Sequence, residues 1–537
     1  MNLFPAPNIP KHPKEPRPLP GATAQSTTLL QDVLQENHAR FHALFNDAPL
    51  HNHISHHVIA LWWLGASPER IQEAYDLEID DQRSVNTGIT PDVVSITAEN
   101  FMDHIGHHKF YHSYLMFFEQ AVEEQGMVGA FEKYVLSPEY NLQGSSMLNS
   151  FYEGLIHPFI HVGYGLEFGL PGMVSEGLAM AAITGPRARD SLLPSFITAQ
   201  SAFLQSSPSI TQKLASLSFL SSPTRTSAVE SPRSPSTPHA LTFLPRIDAD
   251  EECHDVPMTA YFDEEFCERF RGKMEGYVRE WIGEGCDQAG FQELLWKKVE
   301  ELIWLCTVIY AVGGPNSKAE DKEGEGGGLQ FTDDFYTMHL VTSALFLPSY
   351  IHSLTHHPNS ALALLQSYFT NSLLWYIARR SNTPLSIANF YAKTSHLRRH
   401  HPLTKGVNNV WTPIIETSIA HEDEHLPKLT RALMHFATHY GRQTFSDIFD
   451  LHREDIGRTV DPSLEVFERL DGTLFWRAAV GTVVRFPGVG GGRGKGMVER
   501  ASGCWDGLGG IDPGRMAREE NGLGSAGMGL GAGDGDA

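Results

Sequence analysis

Apolar residues recur at helical spacing along most of this chain, and this pattern constrains the fold more than any other feature. Clear examples are SYLMFFEQAVEEQGMVGAFEKYV (113–135), FQELLWKKVEELIWLCTVIYAV (291–312) and LTRALMHFATHYG (429–441). Strand-like alternation of apolar and polar residues is scarce. The stretch SPERIQEAYD (67–76) places a Ser cap ahead of Pro and Glu, which is typical of a helix start. The sequence therefore predicts a mostly α protein whose helices pack around one central site.

The domain organisation follows from where this pattern is interrupted. We predict a single large helical domain over residues 25–485, preceded by a Pro-rich N-terminal segment, residues 1–24. Residues 196–246 include a Ser/Pro/Thr-rich run and are predicted to be a disordered insertion, while residues 313–328 form a shorter polar linker. The Gly-rich residues 486–537 are predicted to be a disordered C-terminal tail.

Composition argues against several classes of partner. The formal net charge of -23 makes nucleic acid or an anionic membrane surface a poor main partner, whereas a small aromatic substrate is easily accommodated. The five cysteines contain no CxxC pair, which favours a reduced compartment. We see no signal peptide and no apolar run long enough for a membrane span, so we expect a cytoplasmic protein. The sequence does not indicate an oligomeric state.

Histidine is the most informative residue type for function. The chain has 27 histidines, and His51, His53, His56 and His57 crowd ahead of the apolar stretch VIALWWLGA. Buried imidazoles need partners, which can be backbone carbonyls, a substrate or a metal ion. A lone helical histidine is more often capped or solvated, so no single histidine establishes a site.

Two familiar motifs occur without the context that gives them meaning. The run HEDEH (421–425) matches the H-E-x-x-H pattern of zinc peptidases, with His421 and His425 one turn apart if the run is helical. The longer form of that motif fails because Lys428 stands where Gly is needed. The run GLGSAG (522–527) matches a dinucleotide fingerprint, but no strand precedes it and no amphipathic helix follows. We therefore expect no flavin-binding fold.

Four segments taken together resemble the signature of the questin oxidase-like family, fungal enzymes that oxidatively open anthraquinone-type polyketide rings. The segments are HNHISHHVIALWWLGASPERIQEAYD (51–76), HPFIHVGYGLEFG (157–169), DDFYTMHLVTSALFLPS (333–349) and HEDEHLPKLTRAL (421–433). They occur in the order expected, and four together are far more specific than any one. The Ser/Pro-rich insertion and the Gly-rich tail depart from the family pattern.

Each of these segments supplies one histidine in an apolar or amphipathic helical context. The four are His53, His157, His339 and His425. Four imidazoles that converge inside a helical bundle can bind a first-row transition metal, with iron, zinc or copper all acceptable. Pro158 predicts that His157 lies at a helix start or kink. Four neighbouring histidines, His56, His57, His161 and His421, remain alternatives to the chosen ligands.

Lys428 is a further candidate ligand because it follows His425 by three residues and shares its helical face. If that face is buried near a cation, the amine becomes neutral and can add carbon dioxide. The resulting carbamate would offer the metal an anionic oxygen. The alternative is that Lys428 pairs with Asp423 or Glu424 on the surface.

The resemblance implies an oxygen-dependent ring-opening oxidoreductase with a Baeyer-Villiger outcome, acting on an aromatic polyketide. Dioxygen reacts slowly with closed-shell organic molecules, so without a flavin fold either a metal or the substrate must activate it, and we prefer a non-haem iron site. NADPH is an expected co-substrate. The candidate catalytic residues are His56 and His57, as groups facing the substrate, with Tyr164 and Thr342 as hydrogen-bond donors to a quinone or phenolate oxygen. For the last two, packing and a local backbone hydrogen bond is the alternative. Two other functions stay open: a metal-independent, NADPH-dependent Baeyer-Villiger monooxygenase, and a non-catalytic protein that binds aromatic ligands.

Overall fold

The computed structural model describes most of the chain outside a few internal segments. The described residues are 1–45, 50–86, 94–141, 146–185, 237–254, 256–259, 262–283, 288–313, 334–380, 384–395, 397, 405–406, 409–451, 462–486 and 505. Over these ranges the chain forms helices and no extended strand, with only two isolated bridges, Phe41 to Ser84 and Leu44 to His51. The predicted mostly α fold is confirmed for this part of the chain.

Seventeen α-helices are present in the described residues. They are α1 (Ala24–Arg40), α2 (Ile54–Leu64), α3 (Pro68–Glu78), α4 (Tyr111–Phe131), α5 (Met147–Phe168), α6 (Pro171–Thr184), α7 (Phe243–Asp248), α8 (Glu264–Ile282), α9 (Gln288–Val312), α10 (Phe335–Ala344), α11 (Leu347–Ser353), α12 (Pro358–Arg379), α13 (Ile387–Thr394), α14 (Trp411–Ala420), α15 (His425–Tyr440), α16 (Phe445–Ile448) and α17 (Thr473–Val483). Short 3-10 or π turns lie at Ile79–Asp81, Phe101–His104, His108–Phe110, Glu132–Leu136, Pro138–Tyr140, Ala240–Thr242, Glu251–Cys253 and Pro462–Phe467. None of the described helices combines the length and the apolar character that a bilayer span requires.

The helix starts follow local sequence chemistry. The Ser67 side chain accepts a hydrogen bond from the Arg70 amide, and Pro68 occupies the first turn, so the predicted start of α3 is confirmed. Helix α2 ends at Gly65, whose φ of 89° is in the left-handed region that glycine tolerates best. Pro20 packs closely against Gly65. A Cβ on Gly65 would lie 3.1 Å from the Pro20 carbonyl oxygen, which is a tight contact for a larger residue.

The packing places the four histidine-bearing segments side by side. Every residue of α2 is buried, so this helix runs through the interior. Helix α2 packs against α15, α5 packs against α6, and α10 contacts both α5 and α15. One contiguous group of buried apolar side chains extends from Phe4 to Trp505. The site therefore forms where α2, α5, α10 and α15 meet.

Some predicted boundaries need correction. Residues 237–246, the last part of the predicted disordered insertion, are described by the structure, and Leu241, Phe243 and Leu244 among them are buried, so the predicted disorder is wrong for these ten residues. The short apolar run ALTFL packs into the core, and the Ala240 amide donates a hydrogen bond to the buried Glu301 carboxylate at 3.0 Å. The rest of the predicted insertion, and all of the predicted linker after Gly313, lie outside the described residues.

Both ends of the chain contribute to the packed structure. Phe4 in the Pro-rich N-terminal segment is buried, and the Asn8 amide donates a hydrogen bond to the Phe168 carbonyl at 2.8 Å. Within the predicted disordered tail, Phe486 and Trp505 are buried and their rings lie 5.2 Å apart. Both aromatic residues are therefore exceptions to the predicted disorder, and the remainder of the tail lies outside the described residues.

Candidate metal centre

The four predicted histidines form a closed ring of imidazoles in the interior. His53 caps the start of α2, His157 lies in α5, His339 in α10, and His425 is the first residue of α15. The ring centroids are 4.6 Å apart for His53 and His157, and 4.9 Å apart for His157 and His339. The ring centroids of His339 and His425 are 5.4 Å apart, and those of His425 and His53 are 4.8 Å apart, so the four rings form a closed arrangement. The structure thus brings these predicted residues together.

Glu424 adds a carboxylate to this cluster. Its Oε1 atom lies 3.3 Å from Nδ1 of His53 and 3.4 Å from Nδ1 of His425. One ligand atom from each of these three residues falls within 4.8 Å of the others, which is a spacing that one metal ion could bridge. The sequence analysis considered Glu424 only as a surface partner of Lys428. Its position between two histidine-bearing elements depends on the turn that precedes α15, which spacing alone does not specify.

Several polar atoms of the cluster are buried without a hydrogen bond to any described residue. They are His53 Nδ1, His339 Nε2, His425 Nδ1 and Nε2, and both carboxylate oxygens of Glu424. Each such atom costs on the order of 1–3 kcal/mol when it is removed from water and left unpaired. A bound cation would satisfy these lone pairs, so the donor set fits a metal ion.

The electrostatics favour the neutral form of three imidazoles, those of His53, His157 and His339. Burial, reinforced by the Lys428 charge, holds the pKa of His53 well below its usual range. Burial does the same for the pKa of His157 and of His339, with neighbouring histidines adding to the effect. A neutral imidazole has the lone pair that a metal ligand needs.

Two of the imidazoles have their tautomer set by backbone carbonyls. Nδ1 of His157 lies 2.5 Å from the Gly154 carbonyl oxygen, and Nδ1 of His339 lies 2.7 Å from that of Phe335. A carbonyl oxygen only accepts, so each Nδ1 carries the proton and each Nε2 keeps its lone pair. The Nε2 of His157 lies 2.5 Å from the Nε2 of His53. Backbone hydrogen bonds of this kind commonly orient metal-binding histidines.

The predicted kink before Pro158 is confirmed. Residues Glu153–Ile156 depart from helical geometry, and Gly154, Leu155 and Ile156 have φ values of 56°, 58° and 65°. A Cβ on Gly154 would lie 2.2 Å from Cε1 of His51, whose ring stacks on His157 at 4.8 Å. The turn therefore aims His157 at the cluster and brings in His51, which the sequence analysis did not select as a site residue.

Comparison with known proteins identifies the family of this chain. The sequence profile of the questin oxidase-like family matches residues 50–433, which include all four histidines and Lys428. The chain belongs to the questin oxidase-like family.

Individual relatives match over shorter stretches. A Baeyer-Villiger oxidase of Pestalotiopsis microspora is 30% identical over 165 residues, which cover 30% of this chain and 36% of the relative. A Baeyer-Villiger monooxygenase of a Cryptosporiopsis species is 35% identical over 165 residues, covering 30% and 35%. A questin oxidase of Aspergillus terreus is 33% identical over 152 residues, covering 28% and 33%. The aligned stretch spans about a third of the length of each relative.

Lys428 of this questin oxidase-like chain is buried, with only 4% of its surface exposed. The alternative in which it forms a surface ion pair is therefore wrong, because the face of α15 that carries His425 packs into the interior. Burial lowers the pKa of Lys428 to about 8, against the opposing influence of Glu424. The neutral amine required for a carbamate is accordingly accessible near neutral pH.

The two candidate catalytic histidines of α2 have different surroundings. The His56 ring lies 6.0 Å from the His157 ring and 6.1 Å from the His53 ring, at the edge of the cluster. The His57 ring is directed to Glu78 of α3, with Nδ1 2.5 Å from the carboxylate Oε1. The structure therefore places His56 beside the four histidines and His57 against a carboxylate.

The hydroxyl groups of Tyr164 and Thr342 are both used locally. Thr342 Oγ1 donates to the His339 carbonyl at 3.3 Å, and the Tyr164 hydroxyl donates to the His56 carbonyl at 3.3 Å. The Thr342 bond is the local backbone hydrogen bond that was the alternative to a catalytic role, whereas the Tyr164 bond joins α5 to α2. Both residues border histidines of the site, and their catalytic roles stay predictions.

The HEDEH run does not form the helix that a zinc peptidase motif requires. Helix α14 ends at Ala420, His421 has an extended backbone with ψ of 148°, and α15 begins at His425. Asp423 Oδ1 accepts hydrogen bonds from the amides of His425 and Leu426, which caps the start of α15. The expectation that His421 and His425 share a helical face is therefore wrong.

Trp505 is a neighbour of the cluster that sequence reasoning missed. Its indole Nε1 donates to Asp423 Oδ2 at 3.2 Å, and its ring lies 6.1 Å from His425 and 6.4 Å from Phe335. This tryptophan lies beyond the residues matched by the family profile. The only sequence signal was a large aromatic residue isolated within a Gly-rich stretch.

Proposed function

We propose that this protein is an oxidoreductase of secondary metabolism that uses dioxygen to open a ring of an anthraquinone-type aromatic polyketide, with a Baeyer-Villiger outcome. Family membership and the activities that the relatives' names state support this class of reaction. The observation that carries the proposal is the closed ring of four buried imidazoles, in which His53, His339 and His425 have ligand atoms without a hydrogen bond to a described residue.

The proposed ligands are His53, His157, His339 and His425, with a carbamate on Lys428 as an anionic fifth ligand. Nitrogen donors with one anionic oxygen suit non-haem iron, which supplies the one-electron chemistry that ground-state dioxygen requires. Two nitrogens on one metal lie roughly 3 Å apart or more for ordinary bond lengths. The 2.5 Å between the Nε2 atoms of His53 and His157 is shorter, so metal binding requires these rings to separate by a few tenths of an ångström.

The protein's own residues would bind the substrate and manage its protons. Phe335 and Trp505 border the cluster with aromatic faces of the kind on which a planar quinone stacks. His56 lies at the cluster edge with a buried Nδ1 that has no hydrogen-bond partner among the described residues, so it could accept a phenolic proton. Burial of the whole site excludes water from reactive intermediates.

The number of electrons that the reaction needs is the reason for proposing NADPH as the reductant. Inserting one oxygen atom into the ring and reducing the other to water requires two electrons beyond those of a quinone substrate. We propose that NADPH provides them, either directly or by first reducing the quinone to a hydroquinone.

The test is elemental analysis beside an oxygen-uptake assay. The protein is purified without a polyhistidine tag and compared with the quadruple variant His53, His157, His339 and His425→Ala. A matched control replaces four histidines outside the cluster: His104, His107, His352 and His356→Ala. About one equivalent of iron in the parent and the control, none in the site variant, and oxygen uptake that follows the iron are the expected results.

Other outcomes point to the remaining functions. An active parent without stoichiometric metal would replace the iron site by a metal-independent, NADPH-dependent monooxygenase in which histidines act as acid and base. Tight binding of an anthraquinone without oxygen uptake, in iron-loaded protein supplied with NADPH, would indicate a non-catalytic binding protein.

A further inference from the structure

A continuous chain of hydrogen bonds leads from the cluster edge to the protein surface. His56 Nε2 lies 2.9 Å from His161 Nδ1, and His161 Nε2 lies 2.7 Å from Glu176 Oε2. The other oxygen of Glu176 lies 2.7 Å from His38 Nδ1, and His38 Nε2 lies 3.0 Å from Glu119 Oε1. Five different helices, α2, α5, α6, α1 and α4, each supply one member.

Along this series of hydrogen-bonded side chains, the exposed fraction rises only at the outer end. The side chains of His161 and Glu176 are each 5% exposed, that of His38 is 9% exposed and that of Glu119 is 24% exposed. Phe4 covers His38 with its ring edge at 5.2 Å. Solvent can therefore exchange protons with the chain at Glu119, while the inner members are shielded.

The carboxylates fix the direction in which each hydrogen bond is donated. Burial opposes the effect, yet hydrogen bonds from His161 and His38 hold the pKa of Glu176 at about 2, so this group is an acceptor. His161 therefore donates from Nε2. In the tautomer that the path requires, His161 accepts at Nδ1 from the Nε2–H of His56, which leaves a lone pair on His56 Nδ1.

We propose that His161, Glu176, His38 and Glu119 form a proton path that connects His56 at the candidate metal centre with the surface. This inference rests on the proposed function, because a phenolic substrate that gives up and regains a proton at a buried site needs a route for that proton to the solvent. The four residues are positioning and relay groups, since none of them is one of the four clustered histidines His53, His157, His339 and His425.

The proton transfer balances over one catalytic cycle. In the outward step a substrate hydroxyl gives its proton to His56 Nδ1, the Nε2 proton of His56 passes to His161 Nδ1, and the Nε2 proton of His161 passes to Glu176. His38 gives its Nε2 proton to Glu119, which releases it to solvent, and Glu176 keeps the proton that it received from His161 until the return step. A later inward step reverses each transfer and returns one proton to the reaction product, so every ring regains its starting tautomer.

Steady-state oxygen consumption is the first test. Glu176→Gln and Glu119→Gln keep the shape of the path but remove its basic oxygens. Both should lower kcat by about tenfold or more with KM near the parental value, since positioned proton transfer contributes about 10² or more to rates. The control is Glu123→Gln, which removes an exposed carboxylate one turn further along α4 and should leave kcat unchanged. His38→Ala should regain activity when imidazole is added.

A purely structural role for these residues would give a different pattern. A structural role would change the thermal stability of the variants. Imidazole would then not restore the activity of His38→Ala, and folded Glu119→Gln would keep the parental kcat. Folded variants with kcat within about twofold of an active parent would overturn the proposed path.

A measurement that needs no substrate separates the path from the proposed function. Nitrogen-15 spectra of the histidine rings, assigned with single His→Gln variants, should show protons on Nε2 of His161 and His56. They should show His38 doubly protonated at pH 8, because hydrogen bonds to both carboxylates raise its pKa to about 10 against the opposing effect of burial. A His161 proton on Nδ1, or a pattern unchanged in Glu176→Gln, would overturn the path even in an active enzyme. An inactive parent with the expected spectra would instead count against the proposed function alone.

Discussion

Two buried clusters of charged side chains in this protein differ in how completely their atoms are paired. In the first, Lys298 of α9 donates to both oxygens of Glu301 at 3.0 and 3.1 Å. Glu301 also accepts from the Trp281 indole at 2.6 Å and from the Ala240 amide at 3.0 Å. In the second, the candidate metal centre, Glu424 has both oxygens buried without a hydrogen bond to a described residue.

The difference separates a structural cluster from a ligand site. The Lys298 cluster ties α8 and the turn before α7 to α9, and its pairing energy is realised within the protein chain itself. The metal centre leaves lone pairs unmatched in a shielded environment, which destabilises the ligand-free protein. Whether the buried polar atoms of a cluster are hydrogen-bonded therefore distinguishes a candidate ligand site from a structural cluster more clearly than the types of residue do.

Removing one partner from the paired cluster should have the largest effect on stability. Lys298→Met leaves the Glu301 charge buried without its counter-ion and should lower the free energy of unfolding by roughly 3–5 kcal/mol. Lys297→Met is the control, because Lys297 pairs with Asp450 on the surface and should contribute less than about 1 kcal/mol. Urea denaturation measures both, and equal effects would contradict the distinction.

Removing the His38 ion pair should have an intermediate effect on the free energy of unfolding, and this effect should depend on pH. His38→Gln should lower the free energy of unfolding by roughly 2 kcal/mol at pH 6, as expected for lost hydrogen bonds to charged groups. The folded-state pKa of His38 is raised from 6.5 to about 10, so its contribution is complete below pH 6.5 and is lost as the pH rises through 10. The difference between parent and variant should shrink over that interval in urea titrations. A constant difference would show that His38 stabilises by packing.

Changes within the unpaired cluster should cost little in the metal-free protein. His339→Leu removes an imidazole whose Nε2 has no hydrogen-bond partner among the described residues, and it should change the free energy of unfolding by less than about 1 kcal/mol. Added ferrous iron should raise the melting temperature of the parent and have a much smaller effect on the variant. A large loss of stability without metal would indicate that His339 is a structural residue.

Thr342→Val should have the smallest effect on stability. It removes a hydroxyl that donates to the His339 carbonyl, a bond worth about 0.5–1 kcal/mol. If Thr342 also donates to the substrate, kcat should fall well beyond this change, while Thr342→Ser should retain activity. An unchanged kcat in Thr342→Val would leave the hydroxyl with its local role alone.

The sequence was sufficient to predict the helical class and the four converging histidines. Helical periodicity predicts the helical class, and the resemblance of the four segments to the family predicts the histidines, because each segment holds at least one histidine in an apolar or amphipathic context. The spacing of His421 and His425 misled, since the Asp423 cap starts α15 one turn later than a continuous helix would. Glu424, His51 and Trp505 escaped prediction because tertiary packing, and in the case of His51 the left-handed turn at Gly154, brings them to the site.

The position of Trp505 bears on where the functional unit ends. The family profile stops at residue 433, yet the indole that contacts Asp423 comes from 72 residues further along the chain. A shortened protein cut at the profile boundary would keep all four histidines and lose α17 together with this aromatic contact. The shared family region and the smallest fully assembled site are therefore different lengths of polypeptide, and expression trials should be planned around the longer one.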